Sequence, residues 1–268
     1  MRWGEKRYHS LDYELKQMFK EKVYKIALNG GMTCPNRDGH VGTGGCIFCS
    51  SQGSGDFAGS ARLSIAEQIR QGKADISSKR PVHSYIAYFQ AFTNTYAPVE
   101  TLRALYMEAI ADPEVKILSI ATRPDCLGAD VLALLDEINH IKPVWVELGL
   151  QTIHPETSAY IRRGYELSVF EQAVKELRAI GITVIVHTIL YLPGETKDDM
   201  LDTIHYLNHM DIQGIKLQLL HVLTHTDLAA DYEKHPFYIP DMQDYIQFLG
   251  TCIAPVSYTH LTLPKSDL

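Results

Sequence analysis

The chain has 268 residues, 46% of them hydrophobic, and a formal net charge of −7. That length can bury one large core and suits an α/β barrel, so a single main domain is expected. The acidic balance excludes a protein whose whole surface attracts nucleic acid, and it confines any RNA contact to a local patch.

The opening stretch MRWGEKRYHSLDYELKQ lacks the apolar centre of a secretory signal, and no apolar run is long enough to span a bilayer. A cytoplasmic protein with no membrane partner is expected. In a reducing compartment five cysteines point to metal or redox chemistry rather than disulfides. Cys126 and Cys252 stand apart from the other three and read as inert, buried thiols.

Residues 1–21 form an N-terminal extension, helical or irregular, packed on the main domain; its lysines and arginines read as a solvated face. From residue 22 onward, short β-branched or aromatic runs alternate with amphipathic stretches, the pattern of repeated βα units around a parallel sheet. The expected strands are KVYKIAL (22–28), SYIAYFQ (84–90), KILSIAT (116–122), VWVELGL (144–150), TVIVHTIL (183–190) and GIKLQLL (214–220). Helical periodicity marks SIAEQIRQGKADI, PVETLRALYMEAIAD, GADVLALLDEINH, SVFEQAVKELRAIG and TKDDMLDTIHYLNHM between them. Ser64 with Glu67 fits a capping box, Pro98 suits a first helical turn, and Gly181 follows a helix end. Six such units with right-handed crossovers curl into an open, partial (β/α)6 TIM-like barrel over residues 22–255. Val256 to Pro264, VSYTHLTLP, reads as the in-frame translation of a transposon-type sequencing adapter. Residues 256–268 are therefore set apart as a non-native tail, and the barrel is expected to be C-terminally truncated near Pro255.

The stretch GGMTCPNRDGHVGTGGCIFCSSQG comes after the first strand, at the end of a parallel barrel where catalytic groups gather. It holds Cys34, Cys46 and Cys49, and its glycines give the backbone freedom to wrap a metal centre. Two metal readings compete on these residues. His40 would complete a Cys3His zinc site. A [4Fe–4S] cluster on three cysteines instead leaves one iron open to an external ligand.

The ordered series NGGMTCPNRDG, GGCIFCSSQGSGDF, YFQAFTNTYAP, IATRPDCL, VELGLQT, IRRGY, HTILYLPGET and LQLLHVL resembles the radical S-adenosylmethionine (SAM) superfamily over roughly residues 3–255. Within it the chain resembles the YhcC-type bacterial group, which is similar to the catalytic domain of the elongator-type tRNA-modifying subunit. Eleven residues separate Cys34 from Cys46, longer than the commonest spacing of the superfamily and like that of this group.

The resemblance implies that Cys34, Cys46 and Cys49 each hold one iron of a [4Fe–4S] cluster while SAM chelates the fourth. It further implies hydrogen abstraction from a substrate by a 5′-deoxyadenosyl radical, with electrons from a donor such as flavodoxin or ferredoxin. Gln90 and Asn94 stand where related enzymes contact the methionine amino end, without the usual Gly-Gly-Glu carboxylate. Thr122 and Arg123 lie at the mouth; a plain Arg123–Asp125 pair is the alternative. Glu147 and Gln151 flank the fourth strand's LGL, the Gln matching a contact to the SAM ribose or carboxylate. A Glu in an apolar strand also needs a partner of its own if buried. Arg162 or Arg163 matches an arginine that reaches the SAM carboxylate, with a helix-terminal surface cation as the alternative. His187 faces the ribose or is a satisfied core histidine, and backbone groups near Leu219 and Val222 pair with adenine. Tyr191 replaces the glycine usual before LPGE, and Gly194 with Glu195 reads as a turn and an N-terminal helix acid. The substrate is unknown, with tRNA a candidate by kinship alone.

Overall fold

The computed structural model of the chain describes residues 8–53, 58–78, 82–256 and 260–261. Six parallel strands form a sheet in strict chain order: β1 Tyr24–Leu28, β2 Tyr85–Phe89, β3 Val115–Thr122, β4 Val144–Gln151, β5 Thr183–Leu190 and β6 Gly214–Leu219. Sequential parallel strands joined by helices on one side curl the sheet into a half-barrel, as the sequence predicts. A two-residue strand, β7 His260–Leu261, pairs with Gly214 and Ile215 of β6. It lies in the stretch set apart as a non-native tail, and it extends the β6 edge by two residue pairs.

The outer helices are α1 Leu11–Phe19, α2 Ile65–Ser77, α3 Val99–Ile110, α4 Ala129–Asn139, α5 Pro155–Tyr160, α6 Leu167–Ala179, α7 Lys197–Leu207, α8 Asp227–Lys234 and α9 Met242–Ile253. The sequence pattern foretells α2, α3, α4, α6 and α7; the short α5 and α8 carry too few turns to show a period, and α9 lies beyond the periodic stretches named above. Several cap details differ from expectation. The Ser64 hydroxyl accepts from Glu67 N–H, but the Glu67 carboxylate pairs with Arg70 instead of returning to the cap. The full reciprocal capping box is at α7, between Thr196 and Asp199. Pro98 occupies the N-cap of α3 and not its first turn. Glu195 precedes the α7 cap and turns inward to accept from the Thr152 hydroxyl, so Asp198 and Asp199 are the acids of that first turn.

Between sheet and helices lies a large apolar core that includes Leu118, Val146, Phe170, Leu177 and Ile204. The concave side of the sheet is layered, because residues two apart on a strand share a face. At the base Ile86, Ile117, Trp145 and Ile185 pack with Val23 and with Leu15 of α1. Helix α1 thus closes the bottom of the half-barrel. One step up, on alternate positions, come Tyr88, Ser119, Glu147 and His187, followed by Gln90, Ala121 and Gly149. Strand periodicity sets which residues share the concave face, and the curl of the sheet stacks them as apolar base, charged middle and open mouth. Among the described residues no helix is long and apolar enough to cross a membrane.

Candidate active site

The cysteine loop leaves β1 and folds over the mouth through short local turns. Arg37 N–H donates to the Cys34 carbonyl at 2.8 Å and Cys49 N–H to the Cys46 carbonyl at 3.0 Å. Gly45 has φ +76°, and a Cβ there would stand 3.0 Å from Arg37 Nε, so only glycine fits. Asn36 is buried and ties the loop to the chain after α5: its Nδ2 donates to the carbonyl of Arg162 at 2.7 Å and lies 3.5 Å from Cys46 Sγ. Arg37 donates to the Ser50 carbonyl at 2.5 Å and lies over the Phe92 ring at 5.3 Å.

Cys34, Cys46 and Cys49 all line one cavity of about 330 Å3 at the barrel mouth. All three are half-buried, free thiols. A hydrogen bond from the Cys49 thiol pulls Cys46 down to about 7 against the opposing effect of burial, helped by Asn36 and by the charges of Arg123 and Arg37. Cys49 keeps the shared proton and is correspondingly pushed up. His40 is exposed, stands beside Tyr96 with ring centroids 6.3 Å apart, and does not line the cavity. Among the described residues no group of three His, Cys, Asp or Glu side chains is arranged to hold a single metal ion.

The same cavity gathers most of the other residues singled out from the sequence: Gln90, Thr122, Arg123, Glu147, Gln151, Arg163, His187 and Leu219. Asn94, Arg162 and Val222 are not among its walls. Asn94 is fully buried and braces β3, its Nδ2 donating to the Ala121 carbonyl at 3.0 Å while its Oδ1 finds no partner among the described residues. Arg162 points outward, half-exposed, and pairs with Asp227. Arg163 is 3% exposed, and its guanidinium closes the end of β4 by donating to the carbonyls of Thr152 at 2.7 Å, Tyr165 at 3.1 Å and Leu150 at 3.2 Å. Of the two arginines, then, Arg163 faces the site and Arg162 is the surface cation.

Arg123 grips Asp125 in a bidentate pair, Nε to Oδ1 at 2.9 Å and Nη2 to Oδ2 at 2.7 Å, and donates from Nη1 to the Arg163 carbonyl at 2.8 Å. Both arginines face the Tyr165 ring, at 5.1 and 4.7 Å. Gly164 between them has φ +82°, and a Cβ would come within 2.8 Å of Asn36 Oδ1. Gln151 and Tyr191 also hold positive φ, 65° and 64°. Non-glycine residues reach that region only when their surroundings impose it. At Tyr191 this is a conformation that glycine adopts freely, and the ring is turned into the core against Phe248.

Under the mouth lies a charged layer. Glu147 is 1% exposed and accepts from Lys25 Nζ at 2.5 Å, Ser119 Oγ at 2.8 Å and His187 Nε2 at 2.6 Å. Lys216 Nζ stands 3.7 Å from its Oε2. Burial pushes the Glu147 carboxyl up, but the charges of Lys25 and Lys216 and the His187 hydrogen bond hold it well below the usual carboxylate range. Burial and the Lys216 charge push His187 down to about 4, so it is a neutral donor to an ionised Glu147, and their contact is a hydrogen bond rather than an ion pair. Tyr88 lies beneath both lysines, 4.4 Å from Lys25 and 5.5 Å from Lys216. Sequence reasoning names Glu147 and His187 but passes over Lys25, Tyr88, Ser119 and Lys216. The available signal is one charged residue in each of three otherwise apolar strands: Lys25, Glu147 and Lys216.

A half-barrel of six parallel strands with three cysteines on the loop after its first strand defines the class of fold. Residues 36–207 match the radical SAM superfamily model. The chain belongs to that superfamily. It is 46% identical over 245 residues to protein YtqA of Bacillus subtilis, covering 91% of this chain and 76% of the relative. It is 38% identical over 242 residues to protein YhcC of Escherichia coli K12, covering 90% and 77%. Among solved structures it is similar in fold to archaeal Elp3 from Methanocaldococcus infernus, with TM-score 0.67, 15% identity and coverage of 90% of this chain and 56% of that one. It is also similar to the Escherichia coli radical SAM enzyme coproporphyrinogen III oxidase, with TM-score 0.56, 16% identity and coverage of 87% and 51%. The chain thus spans about half the length of these solved neighbours, and at such identity the likeness concerns the fold.

Proposed function

We propose that this protein is an enzyme that cleaves SAM reductively at a [4Fe–4S] cluster held by Cys34, Cys46 and Cys49. One observation carries the reading: three thiols from a single loop line a common cavity, and His40, the fourth donor that the loop offers, does not. That donor set leaves an iron free for a ligand on the cavity side. Such a cluster supplies the electron that splits SAM into methionine and a 5′-deoxyadenosyl radical, which takes a hydrogen atom from the substrate.

The chain's own residues bind, orient and shield. Asn36 and Arg37 fix the loop and favour the ionised Cys46 sulfur. Gln90 and Gln151 offer amide groups to the polar parts of SAM, and backbone groups at Leu219 offer an edge to adenine. The Arg123–Asp125 pair and the Arg163 cap hold the ends of β3 and β4 rigid, so the reacting atoms meet in one geometry. A reduced flavodoxin or ferredoxin is the electron donor in this reading.

Anaerobic purification tests it. The expected product is a brown protein with about four irons and four sulfides per chain, which forms 5′-deoxyadenosine and methionine from SAM on reduction with dithionite. A colourless protein carrying one zinc would overturn the proposal.

A further inference from the structure

The layer under the cavity carries more positive charge than its carboxylate consumes. Glu147 is the acid there, facing Lys25 and Lys216, while His187 is neutral at neutral pH. The acceptor positions of Glu147 are already taken by Lys25, Ser119 and His187 at 2.5 to 2.8 Å. Lys216 Nζ pairs with that carboxylate only at 3.7 Å and makes no hydrogen bond of normal length among the described residues, while burial and the Lys25 charge push its pKa down against the pull of Glu147. An ammonium carries three donors, and a largely buried one left without an acceptor is costly unless something else supplies it. Lys216 and Gln218, two apart on the inner face of β6, both border the cavity, as does Gln90 opposite. Neither Gln218 nor Gln90 spends its side-chain amide on a hydrogen bond within the described residues. In a chain of net charge −7 this is a localised positive site enclosed by protein.

We propose that Lys216, with Gln218 beside it, is a subsite for an anionic group of the substrate, a carboxylate or a phosphate. The proposal rests on the mouth being the SAM site, since it assigns the space beneath to the second reactant. Lys216 lies three residues before the end of β6, about 10 Å down the strand at ~3.3 Å per residue. That depth separates it from the loop cysteines and from a methionine carboxylate held beside them. A substrate tethered at its charged end would present its chain upward to the mouth, and the rigid strands would fix which hydrogen is presented. Specificity then favours acidic metabolites or phosphorylated compounds of a size that enters the cavity.

The test uses the cluster-loaded protein with saturating SAM, titrated calorimetrically with inorganic phosphate and, separately, with acetate at constant ionic strength. Wild type is expected to bind one anion saturably; the tighter of the two identifies phosphate or carboxylate as the group. Lys216→Met is expected to weaken that binding by about tenfold or more, and Lys216→Arg to retain it within about threefold. SAM affinity measured in the same samples is expected to stay within about twofold, since the mouth is untouched. Lys216→Gln replaces the Met variant if the latter does not fold. Absence of saturable binding by wild type, or binding unchanged by loss of the ammonium, overturns the subsite. So does a parallel fall of SAM and anion affinity, because Lys216 would then hold the cofactor's own carboxylate. Failure of wild type to bind SAM while phosphate still binds would strike the SAM reading separately.

Discussion

The mouth of the half-barrel and the charged layer beneath it solve opposite problems. At the mouth, three cysteines sit on a glycine-rich loop held by backbone turns, by Asn36 and by Arg37, and line a cavity. In the layer below, Lys25, Ser119, Glu147 and His187 come from four different strands and satisfy one another. A loop can reshape around a group that arrives from outside, whereas side chains on paired strands keep fixed distances. The protein therefore has a loop-built wall above a rigid, polar floor, with Lys216 in that floor beside His187.

Disabling the mouth should have the largest effect and should leave the floor intact. Cys49→Ala is expected to abolish cluster iron and 5′-deoxyadenosine formation while leaving the thermal transition of the apoprotein near that of wild type; iron analysis and calorimetry check this. Disabling the floor should do the reverse. Glu147→Gln leaves two half-buried lysines without their counter-charge and the buried His187 and Ser119 donors with a weaker acceptor, and a loss of about 3 kcal/mol in denaturant unfolding is expected.

The floor also carries a pH signature on the acid side of neutrality. His187 lies against Glu147 and Lys216, with Lys25 and Tyr88 beyond them. Its folded pKa, about 4, is below the unfolded value of 6.5, so between these pH values the unfolded chain binds the extra proton. Stability is unaffected above pH 6.5 and is lost as pH falls toward 4. The difference of about 2.5 units at 1.36 kcal/mol each corresponds to about 3 kcal/mol. Unfolding curves of His187→Gln are expected to fall less steeply than wild type over that window, and parallel curves would contradict the neutral-histidine assignment. The smallest effect is expected at the rim. Arg162→Ala removes an exposed pair with Asp227 and should cost under about 1 kcal/mol with SAM affinity unchanged.

The six strands are legible in the sequence because each is a short apolar run with its own period, and the structure places every one within two residues of expectation. The cysteine loop is legible for a similar local reason: three thiols and seven glycines in one stretch. The charged floor is not. Lys25 and Glu147 are 122 positions apart and meet only once the sheet curls, so each looks like an isolated exception in its own strand. The roles of the two adjacent arginines are undecidable from order alone; the left-handed turn at Arg162 and Gly164 sends one outward and the other into the core. The reciprocal box at α7 is masked in the sequence by Glu195, a more conspicuous acid than Asp199 beside the same helix start.

The central claim is that an open iron corner at the mouth receives SAM. Electron paramagnetic resonance of the dithionite-reduced, oxygen-protected protein, recorded without and with SAM labelled with nitrogen-15 at the amino group, addresses it directly. The account predicts a reduced [4Fe–4S] signal whose g-values change when SAM is added and which gains a hyperfine coupling to the label. A cluster signal that SAM leaves unaltered, or no cluster signal from intact protein, would contradict it.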